Sequence, residues 1–151
     1  PGIAETMART VVAELGVDMS RFPTSGHLVS WAGLCPRQDE SAGKQRSTRL
    51  RKGASWLKTA LVQAAWGAVR TRSSYFRAQF YRIRARRGPK KAIVAVAASV
   101  LTAIYHVLRD RVPHRELGGD YLNQLDKGKV AKRLVRRRCE LGFDVQVQGA
   151  A

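Results

Sequence analysis

The amino-acid sequence predicts an all-α protein, a compact bundle of about five or six helices. Two observations carry that expectation. Apolar residues recur three and four apart through most of the 151 residues, and Gly, Pro or Ser punctuates the points where helices should begin or end. A third observation bounds the exceptions. Residues 34–53 show no helical period and read as one long loop, and 143–148 alternates like a short C-terminal strand with no second strand to pair with.

The elements follow in order. A first helix runs from about Ala4 to Leu15, with Ile3, Met7, Val11 and Leu15 on one face, Ala8 and Val12 beside them, and Gly16 as its stop. A short helix starts near Ser25, which can cap it; Leu28, Val29 and Trp31 supply its apolar contacts and Gly33 ends it. Pro36 and Gly43 interrupt any helix across 34–53, and a loop of that length in a compact domain is either functional or disordered. The next helix, about Ala54 to Thr71, carries a stripe of Leu57, Leu61, Ala64, Ala65 and Ala68. Ser74 can cap helix 75–87, which turns Phe76, Phe80 and Ile83 inward and lines its other sides with arginine until Gly88-Pro89 stops it. Helix 90–110 is apolar on most sides, as the central element of a bundle would be. Pro113, Gly118 and Gly119 mark a second irregular region. A last helix, 127–141, shows Val130, Leu134 and Leu141 on one side and a basic face of Lys129, Lys132, Arg133, Arg136 and Arg137 on another.

Within the apolar helix the unbroken run is 92–108, rich in alanine and containing Ser99, Thr102, Tyr105 and His106. A membrane span needs roughly 20 strongly apolar residues, so this run reads as a buried core helix. His106 reads as a satisfied core histidine, and Trp31, Trp56 and Trp66 as core residues more readily than as base-stacking platforms. Cys35 and Cys139 are far apart without metal-ligand spacing; they read as free, buried or half-buried thiols in a reducing compartment. The expected organisation is an opening unit at 1–22, a main domain at 23–126 and a basic helix and tail at 127–151.

Charge narrows the function. The chain carries 28 Lys and Arg against 11 Asp and Glu, a net charge of +17. Residues 41–109 hold sixteen of the bases and no acid. A surface built from that segment cannot neutralise itself, and a polyanion is the expected partner. The bases are spread over a loop and several helices, which suits a phosphate backbone better than the single amphipathic face of a membrane-surface helix. The expected contacts are Lys44, Arg46, Arg49, Arg51, Lys52, Lys58, Arg82, Arg84, Arg86, Arg87, Lys90 and Lys91.

The loop is the candidate for chemistry. The chain has no Gly-rich phosphate loop, no HExxH and no CxxC, and its three histidines do not cluster in sequence. Phosphoryl transfer by a serine needs a hydroxyl that reaches a phosphate, cations on the non-bridging oxygens, and a route for the hydroxyl proton. Ser41 lies between Pro36 and Gly43 with Arg46, Arg49 and Arg51 close in sequence, and arginine suits a two-point grip on phosphate. Asp39 and Glu40 could assist with a proton or a metal, or stand solvated. On residue types alone, a non-catalytic nucleic-acid-binding module explains the same loop.

The stretch 21–65, with "GLCPRQDESAGKQ" at its centre, resembles the C-terminal transposase domain of the IS-one-ten family of bacterial insertion-sequence transposases, which are bridge-RNA-guided DNA recombinases. Gly33, Leu34, Pro36, Glu40, Ser41 and Gly43 match that family's pattern. Lys52 and Gly53 match the turn before its alanine-rich helix, and "RRGPKKAIVAVAASVL" and "YHVLRD" match downstream. The resemblance implies that Ser41 is the nucleophile, forming a phosphoserine link to cleaved DNA. It further implies a guide RNA, a homo-oligomer, a bacterial cytoplasmic location near the nucleoid, no membrane partner, and an N-terminal RuvC-like domain binding Mg²⁺. Nothing in these residues resembles that domain, so no cofactor is expected on this chain, and the fragment by itself is expected to be inactive. The chain opens at Pro1 without an initiator methionine, which fits a piece of a longer protein. Its "PGI" resembles the second half of a helix-hairpin-helix, with Ala4 where a glycine is usual.

Overall fold

The computed structural model describes residues 2–36, 39–41, 44–47, 49–50, 53–125 and 127–144. Among them are seven helices and a single β-hairpin: α1 (Glu5–Leu15), α2 (Ser25–Trp31), β1 (Asp39–Ser41), β2 (Lys44–Ser47), α3 (Ser55–Arg70), α4 (Tyr75–Arg87), α5 (Pro89–Asp110), α6 (Tyr121–Gln124) and α7 (Lys127–Glu140). The all-α expectation holds. Three elements were not foreseen, the four-residue α6 and the two short strands inside the stretch read as a loop. Phe143 and Asp144 form no strand, and the rest of the strand-like 143–148 segment lies outside the described residues.

Helix α5 is the axis of the bundle and packs against α2, α3 and α4. Its first residue is Pro89, whose missing amide costs nothing at that position, and Gly88 at φ +81° joins it to α4. The core is formed where Leu57, Leu61, Ala65 and Ala68 of α3 face Val96, Ala97, Val100 and Leu101 of α5, all of them buried. The alanines leave room for the two helices to approach closely. Tyr105, also buried, donates its hydroxyl to the Phe22 carbonyl at 3.0 Å and ties α5 to the α1–α2 connection. At a mean hydropathy of 1.8, α5 is the one described helix long and apolar enough to cross a bilayer. Its packing on three sides makes it the core helix that the sequence predicted.

Helix α1 lies on α3, burying Val11 and Leu15, while Met7 is half-buried and Ile3 stands in solvent. Gly2 presses against α3: a Cβ there would stand 2.3 Å from the Ala64 carbonyl oxygen. The opening glycine therefore has a packing role. Thr24, and not Ser25, caps α2, its hydroxyl accepting from the His27 amide. Ser74 caps α4 as expected, accepting from the Arg77 amide at 3.2 Å and donating to the Ala68 carbonyl at 3.2 Å.

The segment after α5 returns to α4. Glu116 accepts from the Tyr75 amide at 2.7 Å and from the Gly118 amide at 3.3 Å, and Arg82 donates to the Leu122 carbonyl at 3.1 Å. Helix α7 touches α6 and buries no residue. Leu134 within it and Leu141 just past its end are both exposed.

Three further expectations are corrected. All three tryptophans are on the surface, with Trp56 79% exposed. His106 is exposed, its Nδ1 3.3 Å from an Asp110 carboxylate oxygen. Cys139 is exposed; Cys35 is half-buried, and both are free thiols.

Candidate nucleic-acid interface

The hairpin is built from polar residues, "DES" and "KQRS", which give strands no apolar face to bury. Its order comes from its base. Pro36 and Leu50 form a bridge, and three residues on, Gly53 lies against the end of α2. A Cβ on Gly53 would stand 2.6 Å from the Ala32 carbonyl carbon and from the Gly33 nitrogen. Only a glycine lets the chain pass so close before α3 begins.

Beyond that base the strands run out from the bundle. Among the described residues β1 and β2 contact each other and no helix. The register pairs Asp39 with Ser47, Glu40 with Gln45, and Ser41 with Lys44. The shift between the first two pairs leaves Arg46 as the extra residue of a β-bulge. Ser41 is thus the last residue of β1, at the far end of the hairpin, and directly opposite it is the exposed cation Lys44. Facing residues of such a pair have Cα atoms about 4.5–5.5 Å apart.

The other predicted contacts fall into two groups. Arg49 is exposed near the hairpin base, and Lys58 is half-buried in the first turn of α3; Arg51 and Lys52 lie outside the described residues. A second group sits where α4 meets α5: Arg84, Arg86 and Arg87 in the last turn of α4, then Lys90 and Lys91 in the first turn of α5, all exposed. Arginines at a helix C-terminus complement its dipole, but lysines at a helix N-terminus oppose it. No acid in the first turn of α5 offsets them, so an external anion would relieve the repulsion. Arg84 lies over the Tyr81 ring at 5.7 Å, which leaves its guanidinium at the surface. Arg82 is partly used within the fold, by its bond to Leu122.

Groups with shifted pKa are elsewhere. The Arg109 guanidinium, hydrogen-bonded to Asp110 at 2.7 Å, holds that carboxyl below the usual carboxylate value. Hydrogen bonds from Ser20 do the same for Asp18. An apolar pocket of about 330 Å³ opens between α1 and α5, with His114 its one polar lining residue, stacked on Phe76. It offers nothing to a phosphate. Among the described residues no group of three or more His, Cys, Asp or Glu comes together to hold a metal ion.

Sequence reasoning missed the hairpin and the exposure of Trp56. The first had a weak signal, two residues between the facing Ser41 and Lys44 with glycine as the second. The second was present in the stripe of α3. At roughly 100° per residue, Trp56 and Trp66 both fall well away from the face that Leu57, Leu61 and Ala68 define.

The family model for the transposase IS116/IS110/IS902 family matches residues 1–81. No curated protein and no solved structure matches the chain. The matched residues are more than half of the 151, and they take in α1, α2, the whole hairpin, α3 and the first half of α4. A projecting hairpin whose far end opens an acid-free basic segment, inside that match, agrees with what the family does: this chain belongs to the IS116/IS110/IS902 family of transposases, proteins that act on DNA.

Proposed function

We propose that the chain is the serine-bearing half of a DNA recombinase, and that Ser41 is its nucleophile. The single observation that supports this best is the position of Ser41: at the far end of a hairpin whose described residues touch no helix, paired with Lys44. A hydroxyl carried there can approach a phosphodiester without the bundle in the way, and a cation meets the non-bridging oxygens beside it.

The chemistry is a pair of transesterifications. The Ser41 oxygen attacks phosphorus; a P–O bond to serine forms as the P–O bond to the leaving deoxyribose oxygen breaks. The hydroxyl proton leaves serine and finishes on that departing oxygen, and Asp39 or Glu40 is the nearest carboxylate in sequence to carry it. A deoxyribose hydroxyl of the new strand then attacks the phosphoserine, restoring Ser41 and a phosphodiester. Bond types are conserved, so the exchange consumes no high-energy co-reactant. Lys44, Arg46, Arg49, Arg51 and Lys52 hold the scissile strand, and Lys58 with the α4–α5 group, Arg82, Arg84, Arg86, Arg87, Lys90 and Lys91, holds the flanking phosphates.

The described residues do not fit a Mg²⁺ site, so no step is assigned to a metal on this chain. In this reading Mg²⁺ belongs to a RuvC-like domain, target choice to a guide RNA, and the working form is a homo-oligomer in the bacterial cytoplasm. The second reading, a non-catalytic DNA-binding module, is favoured by that same lack of a metal-binding cluster. A denaturing gel separates the two. Protein carrying the RuvC-like domain, supplied with Mg²⁺, guide RNA and target DNA, should yield a covalent DNA–protein adduct. Ser41→Ala should abolish it while DNA affinity is kept, because one neutral hydroxyl is lost. Absence of any adduct in the unmodified protein would favour the binding module.

A further inference from the structure

Tryptophan normally buries most of its large ring. Here Trp31 and Trp66 are partly out of the core but each leans on another ring, Phe22 and Phe80, with centroids 5.6 Å apart in both pairs. Trp56 is different. It is the most exposed of the large apolar side chains, at 79%, and among the described residues no ring packs against it. Its backbone is nonetheless firmly placed. It is the second residue of α3, Leu57 beside it is fully buried, and Gly53 three residues before it is wedged against α2. The fold therefore spends a rigid position, at the root of the hairpin that carries Ser41, on holding an indole in solvent.

The surroundings define what can cover it. The nearest acid before Trp56 in sequence is Glu40 and the nearest after it is Asp110. A partner that offers a flat apolar face inside a negatively charged frame matches both features, and a nucleobase in a sugar-phosphate chain is such a partner. In an intact duplex the bases are stacked on each other and give an indole no face. Strand exchange opens the duplex and frees bases near the cut.

We propose that Trp56 is a stacking platform for an unpaired DNA base at the root of the hairpin, one strand's length from Ser41 at its far end. The proposal rests on the strand-exchange reading above, but it is tested by binding, not by chemistry, so loss of one does not decide the other. The experiment compares the affinity of the full chain for a labelled single-stranded oligonucleotide and for its fully paired duplex, across a salt series. Trp56→Ala should weaken single-strand binding by about five- to 150-fold, the cost of one lost base–aromatic stack. Trp56→Phe should retain most of the affinity, and Trp66→Ala should retain all of it. Duplex affinity and the salt slope should not move in any of them, since no phosphate contact is removed; the thermal midpoint should not move in the Trp56 variants, whereas Trp66→Ala, which loses a ring contact to buried Phe80, should lower it. Unchanged single-strand affinity in Trp56→Ala would overturn the proposal. So would an equal loss on duplex, or a fall in thermal midpoint that tracks the affinity, which would assign Trp56 to the fold.

Discussion

At Gly53 the fold depends on a missing atom. The chain crosses the Ala32–Gly33 peptide so closely that a methyl group would meet backbone at 2.6 Å, and backbone cannot swing aside as a side chain would. Gly53→Ala should cost about 1–3 kcal/mol by overpacking and should loosen the hairpin root first. Urea unfolding measures the loss, and Gly128→Ala, where nothing lies within 4 Å of the added atom, is the control that should show none. Tyr105 gives a second test at this scale. Tyr105→Phe removes the bond to the buried Phe22 carbonyl and should cost about 1–3 kcal/mol while DNA binding is unchanged. Single residues were legible in the sequence where a local rule acts. Ser74 is legible as a cap because it stands directly before the apolar period of α4, where its hydroxyl can accept from the amide three residues on. Ser25 reads as the cap of α2 from the sequence, but the backbone moves that role one residue back: Thr24 is extended and caps, whereas Ser25 is already helical. The tryptophans were misplaced because side-chain size was weighed above position on the helix. The alanine-and-leucine stripe already excluded Trp56 from the buried face.

At the scale of elements, every helix but the four-residue α6 is legible within a residue or two of its ends, because Gly16, Gly88, Pro89 and Gly142 close or open them and the apolar period inside them is strong. The hairpin was not read, since its strands are short and wholly polar and their order comes from a root in tertiary contact, which no window of sequence contains. Helix α7 shows the converse. Its period is clear, yet Leu134 and Leu141 are more than half exposed among the described residues, so amphipathicity announced a face and not its partner. The central element carries the sharpest prediction. Ala97 is fully buried on α5, and Ala97→Asp would place a carboxylate there without a partner, at a cost of several kcal/mol, comparable to the whole stability of a marginal domain. Circular dichroism should show the cooperative melt lost. A variant that keeps helical signal and a sharp melt would show that α5 is not the core.

Across the whole molecule the chain separates its charges. Sixteen bases and no acid fill residues 41–109, which include the last residue of β1, all of β2, α3 and α4, and nearly all of α5. The apolar side of these helices makes the core, and the cations are left outside as a surface that repels itself. DNA binding should accordingly fall with salt, with a slope of roughly −0.9 per phosphate neutralised on duplex. Arg84→Ala with Arg86→Ala should flatten that slope and weaken binding similarly across sequences, whereas a salt-insensitive affinity would remove phosphate contact from the account. The surface and the family were both legible in the sequence, one from charge and the other from the residues around Ser41. The outward reach of the hairpin was not, and it is what joins them. If the serine at the end of that hairpin forms the bond to DNA, peptide mapping by mass spectrometry of the adduct, formed by the protein with its RuvC-like domain, Mg²⁺ and guide RNA, should find a phosphodiester-linked nucleotide on Ser41 alone. A nucleotide on Ser47 or Ser55 in the same basic region, or an adduct that survives Ser41→Ala, would rule Ser41 out as the nucleophile.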